Sequence, residues 1–165
     1  MDKVYVADCE LGKGLFVAAP IRKGEVIGVF SGPLVPRSES MSHPNSFNLL
    51  QVGSRTYMEV APPTLYINHS CEPNSGVRGN TTVIALRDLE PGEEIRFDYS
   101  TTMSEDLETM PCRCGADSCR GLVQDFRHLP PELKRHYLRL GIVQDFIVQE
   151  ELEAHASVSQ QQAHP

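Results

Sequence analysis

Four consecutive residues in INHSCEPN (67–74), Asn68, His69, Ser70 and Cys71, bring an amide, an imidazole, a hydroxyl and a thiol to one place. Further along, Cys112-Arg113-Cys114-Gly115-Ala116-Asp117-Ser118-Cys119 adds three thiols in a CxCx4C spacing. Its Gly-containing turn can aim several thiolates at one point, as a tetrahedral zinc site requires. The fourth donor must come from Cys9, Cys71 or a histidine. Cys71 is the strongest choice, because it follows a turn-forming Ser and precedes Glu-Pro-Asn, where a side chain projects from a loop. Cys9, alone on an expected strand, reads as a small core hydrophobe. The five cysteines are odd in number and crowded, unlike a disulfide ladder.

Two other chemistries fail on their surroundings. His69 and Cys71 share a face of an extended segment, but that spacing does not orient nucleophile and base for proton transfer, and no orienting third group is apparent. Gly12-Lys13-Gly14 is too short for a dinucleotide fingerprint and leads into a strand rather than a helix. It does remove the Cβ that would keep a ligand away from the backbone.

The elements that must position these groups are mostly strands. VYVAD, LFVAA and EVIGVF alternate with turns at Gly12–Gly14 and Lys23-Gly24. Residues 31 to 44, with three prolines and four serines, read as a loop. SFNLL and RTYMEV flank Gln51–Ser54 as a hairpin, Pro62-Pro63 ends that unit, and LYINHS, TTVIALRDL and EIRFDY follow as strands. The core is expected to close near Tyr99, with 100 to 111 as a linker. Pro131-Glu132 opens a helix through Leu133, Tyr137 and Leu140 that Gly141 ends. A second helix is expected from Ile142 to Ala154, and the tail should be disordered. The near-copies GLVQDF (121–126) and GIVQDF (141–146) are too short to make a solenoid.

At 165 residues the chain suits one domain with appendages. Its 40% hydrophobic and 22% charged residues are ordinary for a globular protein. The net charge of -7 argues against direct nucleic-acid binding, which needs clustered Lys and Arg, and suits a basic partner. Met1-Asp2-Lys3 opens no apolar signal core and no run is long enough to span a bilayer, so no membrane contact is expected. The expectation is a soluble intracellular protein of cytoplasm or nucleus.

The order GKGLFVAAPIRKGEVIGVFSG, YINHSCEPN, GEEIRFDY and CRCGADSCRG resembles SET-domain protein lysine methyltransferases with a post-SET zinc motif. The match spans roughly residues 3 to 122. It implies a mainly β fold of several small sheets around a pseudoknot-like core, with a post-SET zinc loop and C-terminal helices. The implied layout is a SET domain over 3–100, a post-SET motif over 108–124, a helical extension over 125–155 and a disordered tail over 156–165.

The same resemblance implies S-adenosylmethionine as cofactor, held by Gly12, Lys13, Gly14, Asn68, His69 and Arg113, with Tyr57 in RTYME as a further contact. Phe30, Phe97 and Tyr99 fall on the channel for the substrate lysine, Tyr99 as the catalytic tyrosine that orients the amine. Zinc would be held by Cys71, Cys112, Cys114 and Cys119. A lysine amine, with an ordinary pKa of about 10.4, must lose its proton to act as nucleophile, and a dry channel beside a sulfonium favours that loss. Alignment of amine and methyl group then supplies most of the catalysis. Phe97 stands where relatives carry Phe or Tyr, and the absent hydroxyl predicts di- or trimethylation.

The chain also departs from the family. Phe30 replaces a tyrosine common in the lysine channel, YMEVAPPTLYIN lacks the Gly-Asn and Arg that usually precede the NHSC loop, and no cysteine-rich pre-SET segment is present. The alternative is therefore a catalytically silent SET-like binding module. The expected partner is a basic protein such as a histone tail or another Lys-rich substrate. The C-terminal helices could support a homo-oligomer.

Overall fold

Gly12–Val17 (β2) buries Leu15 and Val17 completely and leaves Phe16 between them half out, the period-two alternation of a strand with one face on a core. It pairs antiparallel with Val4–Cys9 (β1) in register Cys9 to Gly12. A computed structural model describes residues 3–107 and 109–161 of the chain. Its sheets are all small, as expected of a mainly β fold: β1-β2 is followed by Val26–Val29 (β3), which pairs with Thr82–Ala85 (β9) beside Ser75–Arg78 (β8). The anticipated hairpin forms as Leu49–Gly53 (β5) and Thr56–Glu59 (β6), but residues 51–53, expected in the turn, belong to β5, and Ser46–Asn48, expected in the strand, is a 3-10 turn.

Part of the expected loop over 31–44 is structured. Leu34–Pro36 (β4) pairs with β6, and Arg37–Ser40 (α1) follows directly. The proline-rich composition hid this strand, which lies at the edge of its sheet, where a missing N–H costs little. Val35 supplies its anchor, 5% exposed.

LYINHS and EIRFDY are only briefly extended. Thr64–Tyr66 is a 3-10 turn, and Asn68–His69 (β7) pairs in parallel with Arg96–Phe97 (β10). This two-residue ladder joins segments far apart in sequence and brings the polar loop against the FDY segment. Tyr99–Thr102 then coils as a 3-10 turn with Ser100, Thr101 and Thr102 buried, so the first part of the expected linker belongs to the packed interior. The Thr101 and Thr102 hydroxyls are satisfied locally, Thr101 Oγ1 donating to the Asp98 carbonyl at 2.8 Å and Thr102 Oγ1 to the Tyr99 carbonyl at 2.9 Å, while the Ser100 hydroxyl meets Arg120.

Met110–Pro111 (β11) and Leu122–Val123 (β12) pair across the cysteine loop and close it like a clasp. Pro131–Leu140 (α2) runs as anticipated, with Pro at its start and Gly141 left-handed (φ 65) at its end. The second helix starts three residues later than expected, at Asp145, because Ile142 and Val143 are buried in the link before it. It continues to Gln161 (α3), so the stretch expected to be disordered is helical that far; residues 162–165 lie outside those described.

The core has two parts. Leu15, Val17, Ile21, Val77, Leu89 and Ile95 are among the side chains that fill the space between the small sheets. Ile84, Phe126, Tyr137, Ile142 and Ile147 belong to a second cluster that holds the helices on the back of β9. At about 25 cal/mol per Å² of apolar surface, each of these side chains contributes roughly 1.5–3 kcal/mol by burial.

Candidate functional site

The β7-β10 ladder fixes His69 between two structures. Its Nδ1 accepts the backbone N–H of Tyr99 at 3.2 Å, and its Nε2 lies 3.4 Å from Cys71 Sγ. Burial holds the imidazole below its usual range, so it is neutral near pH 7; Asp98 pulls the other way, while Arg120 and Arg96 reinforce the effect. With Nδ1 accepting, the single proton sits on Nε2 and points toward the Cys71 sulfur.

The ligand atoms of His69, Cys71, Cys112 and Cys114 all lie within 4.8 Å of one another. Cys71 and Cys112 are 3.7 Å apart at sulfur, and the Cys71 backbone N–H donates to Cys114 Sγ at 3.5 Å. Cys119 borders this group without joining it: its Sγ is 3.9 Å from the Cys112 carbonyl and accepts the Gly121 N–H at 3.5 Å. Burial pushes the Cys71 and Cys112 thiols up. At Cys114 burial also opposes ionisation, but the backbone N–H groups of Cys71 and Ala116 and the neighbouring thiols outweigh it and bring the value to about 6. Converging thiols suit a borderline-soft divalent ion such as zinc, which binds them as thiolates. Glu72 locks the two loops together, its Oε1 accepting both the N–H and the hydroxyl of Ser118.

Asn68 points elsewhere. Its Nδ2 donates to the Lys13 carbonyl at 3.0 Å and to Glu94 Oε1 at 2.8 Å, with Cys9 Sγ at 3.5 Å. Cys9 is therefore a half-buried neighbour of this polar site and not the core side chain expected. A Cβ on Gly14 would stand 2.7 Å from Glu94 Oε1, so a side chain there would displace that carboxylate from Asn68. Gly12 adopts φ 104 with open space around it, leaving a bare stretch of backbone. Glu94 is held in turn by Arg96, whose Nε donates at 2.8 Å and whose Nη1 reaches the Cys114 carbonyl at 3.1 Å. The Gly-x-Gly edge, Asn68 and the cysteine loop are thus one hydrogen-bonded unit. Arg113 is exposed and makes no hydrogen bond or ion pair with a described residue.

Phe30, Phe97 and Tyr99 converge on a cavity of about 270 Å³. Ring centroids lie 5.8 Å apart for Phe30 and Phe97 and 4.9 Å for Phe97 and Tyr99. The Tyr99 hydroxyl donates to the Ile67 carbonyl at 2.9 Å, and burial, reinforced by the charge of Glu94, pushes its phenol up to about 12. Tyr57 lines this cavity too, its hydroxyl donating to Glu105 Oε2 at 2.6 Å.

Sequence reasoning missed several residues on which this geometry depends. Asp98 is fully buried, receives Arg120 through Nη2 at 2.8 Å, the Tyr137 hydroxyl at 2.9 Å and the Ser100 N–H at 3.1 Å. Glu94 and Arg96 lie in the quoted GEEIRFDY and Arg120 is next to last in CRCGADSCRG, so the signal was a charged residue inside a motif. Glu105 and Gln51 carried no local signal at all.

Small sheets joined by a short parallel ladder, with a polar loop, an aromatic cavity and a thiol cluster meeting there, define a fold built around one crossing point. The SET domain family model matches residues 12–100, and the chain belongs to that family. It is 34% identical over 134 residues to histone-lysine N-methyltransferase TRX1 of Oryza sativa subsp. japonica, covering 69% of this chain and 13% of that protein. It is 30% identical over 129 residues to histone-lysine N-methyltransferase ash1 of Drosophila melanogaster, covering 68% of this chain and 6% of that protein. The chain therefore spans only a small fraction of these relatives. A solved structure of a humanized mutant of the Chaetomium thermophilum Polycomb Repressive Complex 2 bound to the inhibitor GSK126 shares the fold over 62% of this chain and 15% of that one, with TM-score 0.55 and 22% identity. No described helix is long and apolar enough to cross a membrane.

Proposed function

We propose that this chain transfers methyl groups to the side-chain amine of a protein lysine, with S-adenosylmethionine as donor. One observation carries the reading: the Tyr99 hydroxyl, directed at the Ile67 carbonyl, stands on the wall of a cavity that Phe30 and Phe97 also line. Because that hydroxyl donates to Ile67, its oxygen lone pairs are left to accept from an amine. Both oxygens together orient the amine lone pair, and the phenol keeps its proton, so Tyr99 does not act as a base. The aromatic walls strip water from the lysine and lower its pKa, so its proton leaves to solvent before transfer. The relatives' names make a histone tail the favoured substrate and the nucleus the favoured location.

The Gly12–Gly14 edge fits the cofactor, being bare backbone with open space at Gly12 beside the Asn68 amide and the Glu94 carboxylate. When bound, S-adenosylmethionine supplies an electrophilic methyl group on a sulfonium. Gly12, Lys13 and Gly14 would hold it by backbone, Asn68 by its position on the Lys13 carbonyl, and Glu94 by charge complementarity to a cation. Arg113, exposed beside the cluster, is free to contact its carboxylate.

Cys71, Cys112, Cys114 and Cys119 would hold zinc. His69 is close enough to compete, but its Nε2 bears the proton, so it acts as donor to Cys71 and the fourth place falls to Cys119. Phe97 and Phe30 carry no hydroxyl to restrain the amine, which favours di- or trimethylation.

Calorimetric titration with S-adenosylmethionine, followed by incubation with labelled cofactor and cell lysate beside a Tyr99→Phe control, tests the reading. Binding and labelled lysines in the wild type alone are expected; a protein that binds no cofactor is not this enzyme.

A further inference from the structure

Glu105 is the outlier among the cavity residues. Its side chain is 7% exposed, yet only one of its oxygens is used: Oε2 accepts the Tyr57 hydroxyl at 2.6 Å and lies 3.1 Å from Arg37 Nε. Oε1 is buried and has no hydrogen-bond partner among the described residues. A buried carboxylate oxygen without a donor is costly, and such groups persist where something outside the resting protein satisfies them.

The segment bearing Glu105 is held in place on both sides. The Ser104 N–H donates to Gln51 Oε1 at 3.1 Å, Arg127 bonds the Ser104 carbonyl, and Asp106 is gripped by His128 at 2.7 Å. Asp106 is the one described non-glycine residue at positive φ, 52, a conformation that survives where surrounding contacts enforce it. Asp125, 3% exposed, adds a second carboxylate to the same cavity wall.

Resting on the lysine methyltransferase reading, we infer that Glu105 reads an arginine in the substrate: the Phe30, Phe97 and Tyr99 wall takes the target lysine, and Glu105 Oε1 takes the guanidinium of a nearby arginine. Arginine fits better than a second lysine. Its planar, weakly hydrated head tolerates a buried site, makes directed bonds to a carboxylate, and stacks on apolar walls such as those of Phe47 and Leu107 at the cavity. Arg37, half-exposed and already on Oε2, competes for the same carboxylate from within the chain.

The test uses fluorescent peptides with a fixed central lysine and randomised flanks, scored for binding to the full chain without cofactor and for methylation with it. Wild type should select arginine at a flanking position over its neutral isostere citrulline by about tenfold or more, the size of one charged hydrogen bond. Glu105→Gln should lose that selection and raise KM for arginine peptides with kcat little changed. Arg37→Ala, which leaves Glu105 in place, should sharpen it. Equal arginine preference in wild type and a folded Glu105→Gln overturns the inference, as does an Arg37→Ala variant with weakened preference. If arginine selection appears in binding but nothing is methylated, the Glu105 site stands and the catalytic reading falls.

Discussion

The carboxylate of Asp98 and the guanidinium of Arg120 meet at 2.8 Å with Asp98 wholly buried, joining the FDY segment to the residue that follows the last cysteine. Asp98 also takes the Tyr137 hydroxyl from α2, and its Oδ1 lies 3.6 Å from His69 Nδ1. One buried charge thus gathers the FDY segment, the cysteine loop and α2.

Arg120→Met should leave that charge without its cation. Removing one partner of a buried pair costs about 3–5 kcal/mol, whereas Tyr137→Phe, losing one hydrogen bond to a charged group, should cost about 1.5–3 kcal/mol. Denaturant unfolding of the two variants checks the order; an Arg120→Met protein as stable as wild type would show that Asp98 is satisfied by other means.

Tyr99→Phe should bind cofactor normally and lower kcat about 10²-fold, the scale of a misaligned nucleophile. Because the phenol titrates only at about 12, the wild-type rate should climb with pH as the substrate ammonium loses its proton, with no falling limb from tyrosinate in the working range. Initial rates at saturating cofactor across mildly alkaline pH, for both proteins, give the profile.

Phe97→Tyr adds a hydroxyl to the cavity beside Tyr99, 4.9 Å away between ring centroids. The expected outcome is a shift from di- or trimethyl toward monomethyl product, read by mass spectrometry. A wild type that makes only monomethyl lysine at saturating cofactor would contradict the assignment.

Cys71→Ser should reduce zinc content and cofactor affinity together, because Cys71 sits two residues from His69 and three from Asn68 while its backbone N–H bonds Cys114. Elemental analysis and calorimetry on the same preparation measure both. A variant without zinc that binds cofactor normally would separate the two sites.

Local chemistry made a good part of this molecule readable from sequence. CxCx4C, NHSC and GEEIRFDY name residues whose types are unusual together, and Pro131 and Gly141 bracket a helix through backbone constraints that act within one turn. Short apolar or β-branched runs between turn residues, as in LFVAA and RTYMEV, likewise show strands because turn signals are local.

Pairings between distant residues were decided by the tertiary structure alone. Leu34–Pro36 looked like loop because a three-residue edge strand has no periodicity to show, and residues 100–102 looked like linker because buried hydroxyls read as polar until their partners are known. The resemblance implies Tyr57 as a cofactor contact, but its hydroxyl bond to Glu105, 48 residues away, is visible only in the fold. Asn68 on Lys13 and Glu94, Arg120 on Asp98, and the Glu105 oxygen unpartnered among the described residues all depend on distances across the chain. Such distances follow from how the small sheets and the cysteine loop pack, and no short window of residues contains them.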